Sequence, residues 1–413
     1  MTTTTTAPAL SAADQLARAL ADPNAVWSGG RPASGRSWPQ SLAGGASGIA
    51  LLHIERARTG HGDWDTAHTW LATAVQGEVS AAANANLYFG APALAFITHR
   101  AASASSRYLR VLERLDEATL TVTRIRLAEA HRRIDRAERP PMEEFDLIQG
   151  LSGLGAYHLS CHPHHGITRD VLAYLVRLTE PMPDPSGLPP WWMNVAPTGA
   201  PSADYPQGHG NFGLSHGIGS ALSVLSLALL RDLAIPGMSD AVERICAWTD
   251  QWRQGDETDP WWPGLISMQQ ATDGQVHPDL RPRASWCYGV SGTARAQQLA
   301  GLALREPARV QAAENAILAT LRDPLQLDRL PEIGLCHGTA GLVHAAWRMA
   351  TETGNSEIAA ELPRLTDRLI TALDQDSHDP ELLDGTAGAA LALHTLGTSS
   401  APAPHWDTFL ALA

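Results

Sequence analysis

The sequence predicts an all-α fold, a closed ring of seven helical hairpins, and three observations predict it. A turn of small residues followed by an apolar stretch recurs seven times, no convincing alternating strand run is present, and reactive residues fall in the same slots of successive copies. The copies start at Gly45, Gly90, Gly150, Gly217, Gly289, Gly338 and Gly385, with intervals of 45, 60, 67, 72, 49 and 47 residues. Five read G-x-x-G, as in Gly338-Thr-Ala-Gly341, while the second and fourth have Ala93 and Ser220 in the last place. Each interval holds two helices and their loops.

After each turn comes an inner helix of small and apolar residues. Leu222 to Leu230 is apolar nearly all round, so burial on all sides is expected. Between the turns lie more polar helices, such as 107–116 and 357–370, whose apolar residues recur at helical spacing as on an outer layer. Glycines permit tight turns and close backbone approach, which suits inner helices crowded near an axis. An open solenoid of helix pairs also fits the repeats. Closure is favoured because the number of copies is small and because residues of units three to six must meet. Residues 1–40 are expected to be an N-terminal segment with a partly flexible start, and 41–413 a single domain. Two proline- and tryptophan-rich stretches, 181–206 and 255–282, hold Trp191-Trp192 and Trp261-Trp262 and are expected to be rim loops over the site.

Composition narrows the chemistry. The net charge is −13, which argues against broad nucleic-acid binding. No lysine occurs, so all 30 cations are arginines. That excludes a Schiff-base lysine, a pyridoxal-phosphate site and a P-loop. No apolar run of about eighteen residues exists, so no membrane span is expected. The threonine-rich start lacks a basic and an apolar region and does not read as a secretory signal. Four cysteines are too few for a disulfide scaffold, and a reducing cytoplasm fits.

Aligned on the first glycine of each turn, the place two before it in units three to seven holds Ile148, Ser215, Cys287, Cys336 and Leu383. The place one before it, in all seven units, holds Gly44, Phe89, Gln149, His216, Tyr288, His337 and Asp384. Cys287, Cys336 and His337 together offer two thiolates and one imidazole, the three-ligand pattern of a catalytic zinc with one open position. Read alone, the residues leave zinc and a pair of buried small-hydrophobe cysteines as alternatives. Cys246, in a helical Val242-Glu-Arg-Ile-Cys-Ala-Trp run, is expected to be such a buried cysteine. His216 fills the slot of His337 behind Ser215 instead of a cysteine, so it cannot copy the metal pair. It is a candidate general acid or base, or a hydrogen-bonded core histidine. Asp146 is the nearest carboxylate to turn three on the apolar side and is placed to orient His216 or hold a helix start. Arg283 is a candidate carboxylate binder or a local pairing partner, and Tyr288 offers a hydroxyl beside the candidate metal site. Cys161-His162-Pro-His164-His165 is a second candidate metal cluster, read here mainly as a solvated loop.

With these residues in place, the chain resembles the lanthionine synthetase C-like family, as a stand-alone lanthipeptide cyclase of the LanC type. The blocks that carry the likeness are 145–153, Ser215-His216-Gly217, Trp286-Cys287-Tyr288-Gly289 and 336–341. The resemblance implies an α/α toroid, or double α-barrel, of inner and outer seven-helix rings. It implies zinc on Cys287, Cys336 and His337, and roles for His216, Asp146, Arg283 and Tyr288. The implied reaction adds a peptide cysteine thiol to dehydroalanine or dehydrobutyrine and closes a thioether ring. The implied partners are a dehydrated precursor peptide of leader plus core, a separate dehydratase and an exporter. The implied setting is the cytoplasm, with a peripheral place at the membrane in a biosynthetic complex. Two other functions would use the same zinc and fold: glutathione conjugation to dehydro residues, and a non-catalytic zinc-containing scaffold.

Overall fold

The structure is a computed structural model and describes residues 3–28, 38–103, 106–184, 186–375, 378–400, 403 and 405–413. Residues 1–2 and 29–37 of the expected N-terminal segment, and Pro185 of the first rim loop, lie outside the described residues.

All seven predicted turns are helix starts. Gly45, Gly90, Gly150, Gly217, Gly289, Gly338 and Gly385 are the N-caps of the helices Ala46–Arg58, Ala91–Ala102, Leu151–Cys161, Ile218–Leu230, Val290–Leu304, Thr339–Thr353 and Thr386–Thr398. None has a side-chain cap. Serine or aspartate is the common choice at this position, and space explains its absence. A Cβ at Gly338 would stand 2.4 Å from the Glu332 carbonyl oxygen, and one at Gly341 would stand 1.9 Å from that of Leu335. The turn folds back so tightly on its own preceding segment that only glycine fits at both ends of G-x-x-G.

The chain forms two compact units, one of residues 1–122 and 324–406, the other of 123–323 and 407–413. In the second unit the three inner helices starting at Leu151, Ile218 and Val290 pack side by side in that order. Each also packs on its own outer helix, respectively Gly166–Leu178, Met238–Gln251 and Pro307–Arg322. In the first unit the inner helices Thr339–Thr353, Thr386–Thr398, Ala46–Arg58 and Ala91–Ala102 pack in the same fashion, so the seventh repeat lies against the first. The outer partner of Thr386–Thr398 comes from the other end of the chain. It is the helix Thr3–Ala19, inside the segment set apart from sequence, and it approaches so closely that a Cβ at Gly397 would meet the Leu10 backbone at 2.8 Å.

Two to three places before the turn glycines runs a backbone ladder. In the second unit Leu147 N–H donates to Ser215 O (3.0 Å) and Ser215 N–H to Cys287 O (3.3 Å). In the first unit Cys336 N–H donates to Leu383 O (2.9 Å), Leu383 N–H to Ala43 O (2.9 Å) and Leu42 N–H to Tyr88 O (2.9 Å). Successive turns are thus bonded to one another at the slot that carries the cysteines.

The rim stretches are anchored rather than loose. Trp191, Trp192, Trp261 and Trp262 are all buried, and Trp192 Nε1 donates to Gln207 O at 3.0 Å. Beside them, His209–Asn211 pairs antiparallel with Leu265–Ser267. Three-residue strands are too short to show an alternating pattern, which is why they leave no sign in the sequence.

Candidate functional site

The second unit brings Asp146 and His216 together. Asp146 ends the short helix Met142–Phe145 and is fully buried. Its Oδ1 accepts the backbone N–H groups of Gln149 (2.7 Å) and Gly150 (2.6 Å), which pins the loop that starts the third inner helix. Its Oδ2 lies 2.5 Å from His216 Nδ1. A carboxylate only accepts hydrogen bonds, so Nδ1 carries the hydrogen and Nε2 is the atom left to exchange a proton. The His216 side chain is 26% exposed, enough to meet a ligand while its partner stays dry. Asp146 thus contacts the start of the third inner helix with one oxygen and His216 with the other.

Tyr288 stands across from this pair, its ring centroid 6.2 Å from that of His216 at an interplanar angle of 30°. Next to it Cys287 is buried, with Sγ 3.5 Å from Ser285 Oγ. Trp286 fixes this turn from behind, for it is fully buried and its Nε1 donates to Leu410 O at 3.0 Å. Arg283 is half-buried two residues before Ser285, and its carbonyl accepts the Ser285 N–H at 2.8 Å.

The first unit supplies Cys336 and His337. Cys336 is buried behind the ladder bond to Leu383. His337 Nε2 lies 3.9 Å from Asp384 Oδ1, too far for a hydrogen bond but close enough for attraction. Asp384 occupies the slot of His337 in the next repeat, yet sequence reasoning assigned it no role. Shared slot position was the signal that pointed to it.

The remaining thiols behave differently. None of the four cysteines is in a disulfide. Burial pushes the Cys246 thiol up to about 12, so it is an inert apolar side chain, as expected. The cluster at 161–165 does not converge as a four-residue metal group among the described residues. His165 Nδ1 instead caps a helix by accepting Ile167 N–H at 3.0 Å, and His162 Nε2 contacts Tyr157 Oη at 3.4 Å. Sequence reasoning missed Arg126, on the helix Leu109–Asp135. Its guanidinium donates to the carbonyls of Gln149 and, at 3.3 Å, Glu143, on either side of Asp146.

Comparison with known proteins points one way. The family sequence model described as lanthionine synthetase C-like protein matches residues 36–411. The nisin biosynthesis protein NisC of Lactococcus lactis subsp. lactis is 23% identical over 261 residues, 62% of this chain, and the match spans 60% of that protein's length. A solved structure titled nisin cyclase superposes with a TM-score of 0.75 at 19% identity, covering 91% of this chain and 92% of that one. That likeness shows the fold, an α/α toroid.

Proposed function

Because this chain belongs to the lanthionine synthetase C-like family, we propose that it closes thioether rings in a dehydrated precursor peptide. It does so by adding cysteine thiols to dehydroalanine or dehydrobutyrine, with zinc held by Cys287, Cys336 and His337. The observation that carries the reading is the Asp146–His216 pair, a buried carboxylate holding one imidazole nitrogen and leaving the other for proton transfer. A structural zinc has no need of such a pair.

The donor set fits zinc. Two thiols and one imidazole are borderline-soft ligands, and three protein ligands leave one position for substrate. Held by Cys287, Cys336 and His337, zinc would supply the acidity that makes a thiolate of a substrate thiol, which at its ordinary pKa of about 8.5 is mostly protonated at neutral pH. The thiolate adds to the β-carbon of the dehydro residue, and electrons move onto the carbonyl as an enolate. His216, protonated, returns a proton to the α-carbon from Nε2, so the thiol's hydrogen is replaced with no net redox change. Asp146 keeps the imidazole oriented and balances its charge. On this reading Tyr288, whose ring faces His216, and Arg283 would bind the enolate side of the substrate. No helix among the described residues is long and apolar enough to cross a membrane. The partners proposed are the precursor peptide, a dehydratase that makes its dehydro residues and an exporter, with the reaction in the cytoplasm or peripherally at the membrane.

The experiment is to incubate purified protein with a dehydrated peptide and count alkylatable thiols by mass spectrometry. Loss of one thiol per ring at unchanged peptide mass is expected. Persistence of every thiol, with zinc bound, would overturn the reading.

A further inference from the structure

A groove of about 750 Å³ opens beside Tyr288 in the second unit, walled by both rim stretches. Its volume lies in the range of ligand sites, roughly 300–1,000 Å³. Tyr288 is part of its lining, and that ring lies 6.2 Å from the ring of His216, centroid to centroid. An occupant of the groove that touches Tyr288 is therefore one side chain away from the Asp146–His216 pair.

The lining has a definite chemistry. Leu265 and Ser267 share one strand face, because the residue between them, Ile266, is turned in and buried. Leu280 adds an apolar side chain that is 50% exposed. Only one lining residue is charged at neutral pH, Asp204, and it is exposed. Among the described residues no cation pairs with it. Two arginines adjoin the wall residue Pro282, Arg281 and Arg283, and Arg281 is turned to Asp259 and held by two hydrogen bonds of 2.7 Å. The lining is thus mildly apolar, with Asp204 its one charged residue.

We infer that this groove holds the residues flanking the reacting cysteine or dehydro residue, and that Asp204 makes it favour basic flanks over acidic ones. This rests on the cyclase reading for the identity of the occupant, a peptide. The selectivity follows from the groove alone. An extended peptide lays apolar side chains on Leu265 and Leu280, and a lysine or arginine nearby gains Asp204. A glutamate there meets a like charge. The gain is that of an exposed pair, a few-fold in affinity and weaker at high salt.

The test uses three dehydrated peptides with one cysteine and one dehydroalanine, flanked by lysines, alanines or glutamates. Ring closure (kcat/KM) and binding of a fluorescent version by anisotropy are measured on the full chain at low and high salt. With the wild-type protein the order expected is lysine, alanine, glutamate, spanning about three- to ten-fold at low salt. Asp204→Asn should compress the span and Asp204→Arg should invert it. Glu243→Arg is the control for the chain's overall negative charge, since it makes the same charge change on an exposed helix position outside the groove. It should leave the order intact. An order unchanged by Asp204→Arg, or inverted equally by Glu243→Arg, overturns the inference. If no peptide is cyclised, the cyclase reading fails, and the anisotropy series still decides whether Asp204 selects by charge.

Discussion

The turns at His216 and His337 are built on one plan and differ in two details. Both histidines stand one place before a glycine N-cap that starts an inner helix, and both have a carboxylate nearby. At His216 the carboxylate is fully buried and 2.5 Å away, and the preceding residue is Ser215. At His337 it is 25% exposed and 3.9 Å away, and the preceding residue is Cys336. A tight, dry carboxylate commits an imidazole nitrogen and suits proton transfer. A loose one leaves the ring available, and the adjacent thiol adds a second soft ligand. The repeat thus supplies a common mount, and the two proposed roles, metal ligand and acid–base group, follow from what stands beside each histidine.

The largest effects should come from exchanging these roles. Cys336→Ala should lose zinc and with it essentially all ring closure, whereas Cys246→Ala, at a thiol raised to about 12 by burial, should keep both. Equal zinc content in the two variants, read by atomic absorption, would break the comparison at its metal end. His216→Asn should retain zinc and bind peptide yet close rings roughly 10²–10⁴-fold more slowly, the usual range for removing a general acid or base. Loss of zinc in that variant would make His216 a ligand, and an unchanged rate would move the proton donor elsewhere.

Next in size is the mount itself. Gly341→Ala drives a Cβ to 1.9 Å from the Leu335 carbonyl oxygen, so it should cost about 1–3 kcal/mol through overpacking. Gly166→Ala, at a helix start with nothing within 4 Å of the new Cβ, should be neutral or slightly stabilising. Urea unfolding of both would show the difference, and matching midpoints would mean that the turn can relax around a methyl group.

The mount is also where the sequence was most legible. Seven glycine turns were visible because the clash that selects glycine recurs with the backbone, whatever the side chains around it. The slots singled out the proposed site residues for the same reason, since ladder bonds such as Ser215 to Cys287 run through them. Features that depend on contacts far apart in the chain were not legible. The Thr3–Ala19 helix read as a terminal segment, because what makes it an outer helix is its packing on Thr386–Thr398. Arg126 looked like one more arginine on a polar helix face, and the length of the Leu109–Asp135 helix is what brings it to the Asp146 loop.

Histidines also separate by burial, and pH should show it. Burial lowers His53 to about 4 and His394 to about 3, the latter with Arg56 also repelling a proton. Both are below the ordinary value of 6.5, so the unfolded chain takes up protons that the folded one refuses. Stability should be unaffected by these groups above pH 6.5 and fall as pH drops below it. Each histidine contributes about 1.4 kcal/mol per pH unit until its folded value is reached. Urea midpoints at pH 7, 6 and 5 would measure the slope. Burial also lowers His131 and His209, which add to the slope. His394→Gln should remove its own share, about 1.4 kcal/mol per pH unit between pH 6 and 5, and an unchanged slope would show that other groups dominate.

The smallest effect expected is the most local test of why His216 differs from His337. Arg126 donates to the carbonyls of Gln149 and Glu143, so it clamps the loop whose Asp146 side chain in turn holds His216. Burial lowers its pKa, while the nearby Asp146 charge works to keep it protonated. Arg126→Met keeps the length of the side chain and removes both hydrogen bonds, each worth about 0.5–1.5 kcal/mol net. If half of that loosening reaches the Asp146–His216 contact, the rate at saturating peptide falls about three- to ten-fold, because a misplaced imidazole transfers its proton less well. Zinc content should not change, since none of the proposed ligands is on that loop. Arg126→Lys should restore part of the rate by donating to one carbonyl. The downfield imidazole N–H resonance of His216 should broaden in Arg126→Met through faster exchange with water. A full rate with a sharp resonance would mean that Asp146 is held by the N–H groups of Gln149 and Gly150 alone, and that the short contact to His216 needs no support from the outer helix.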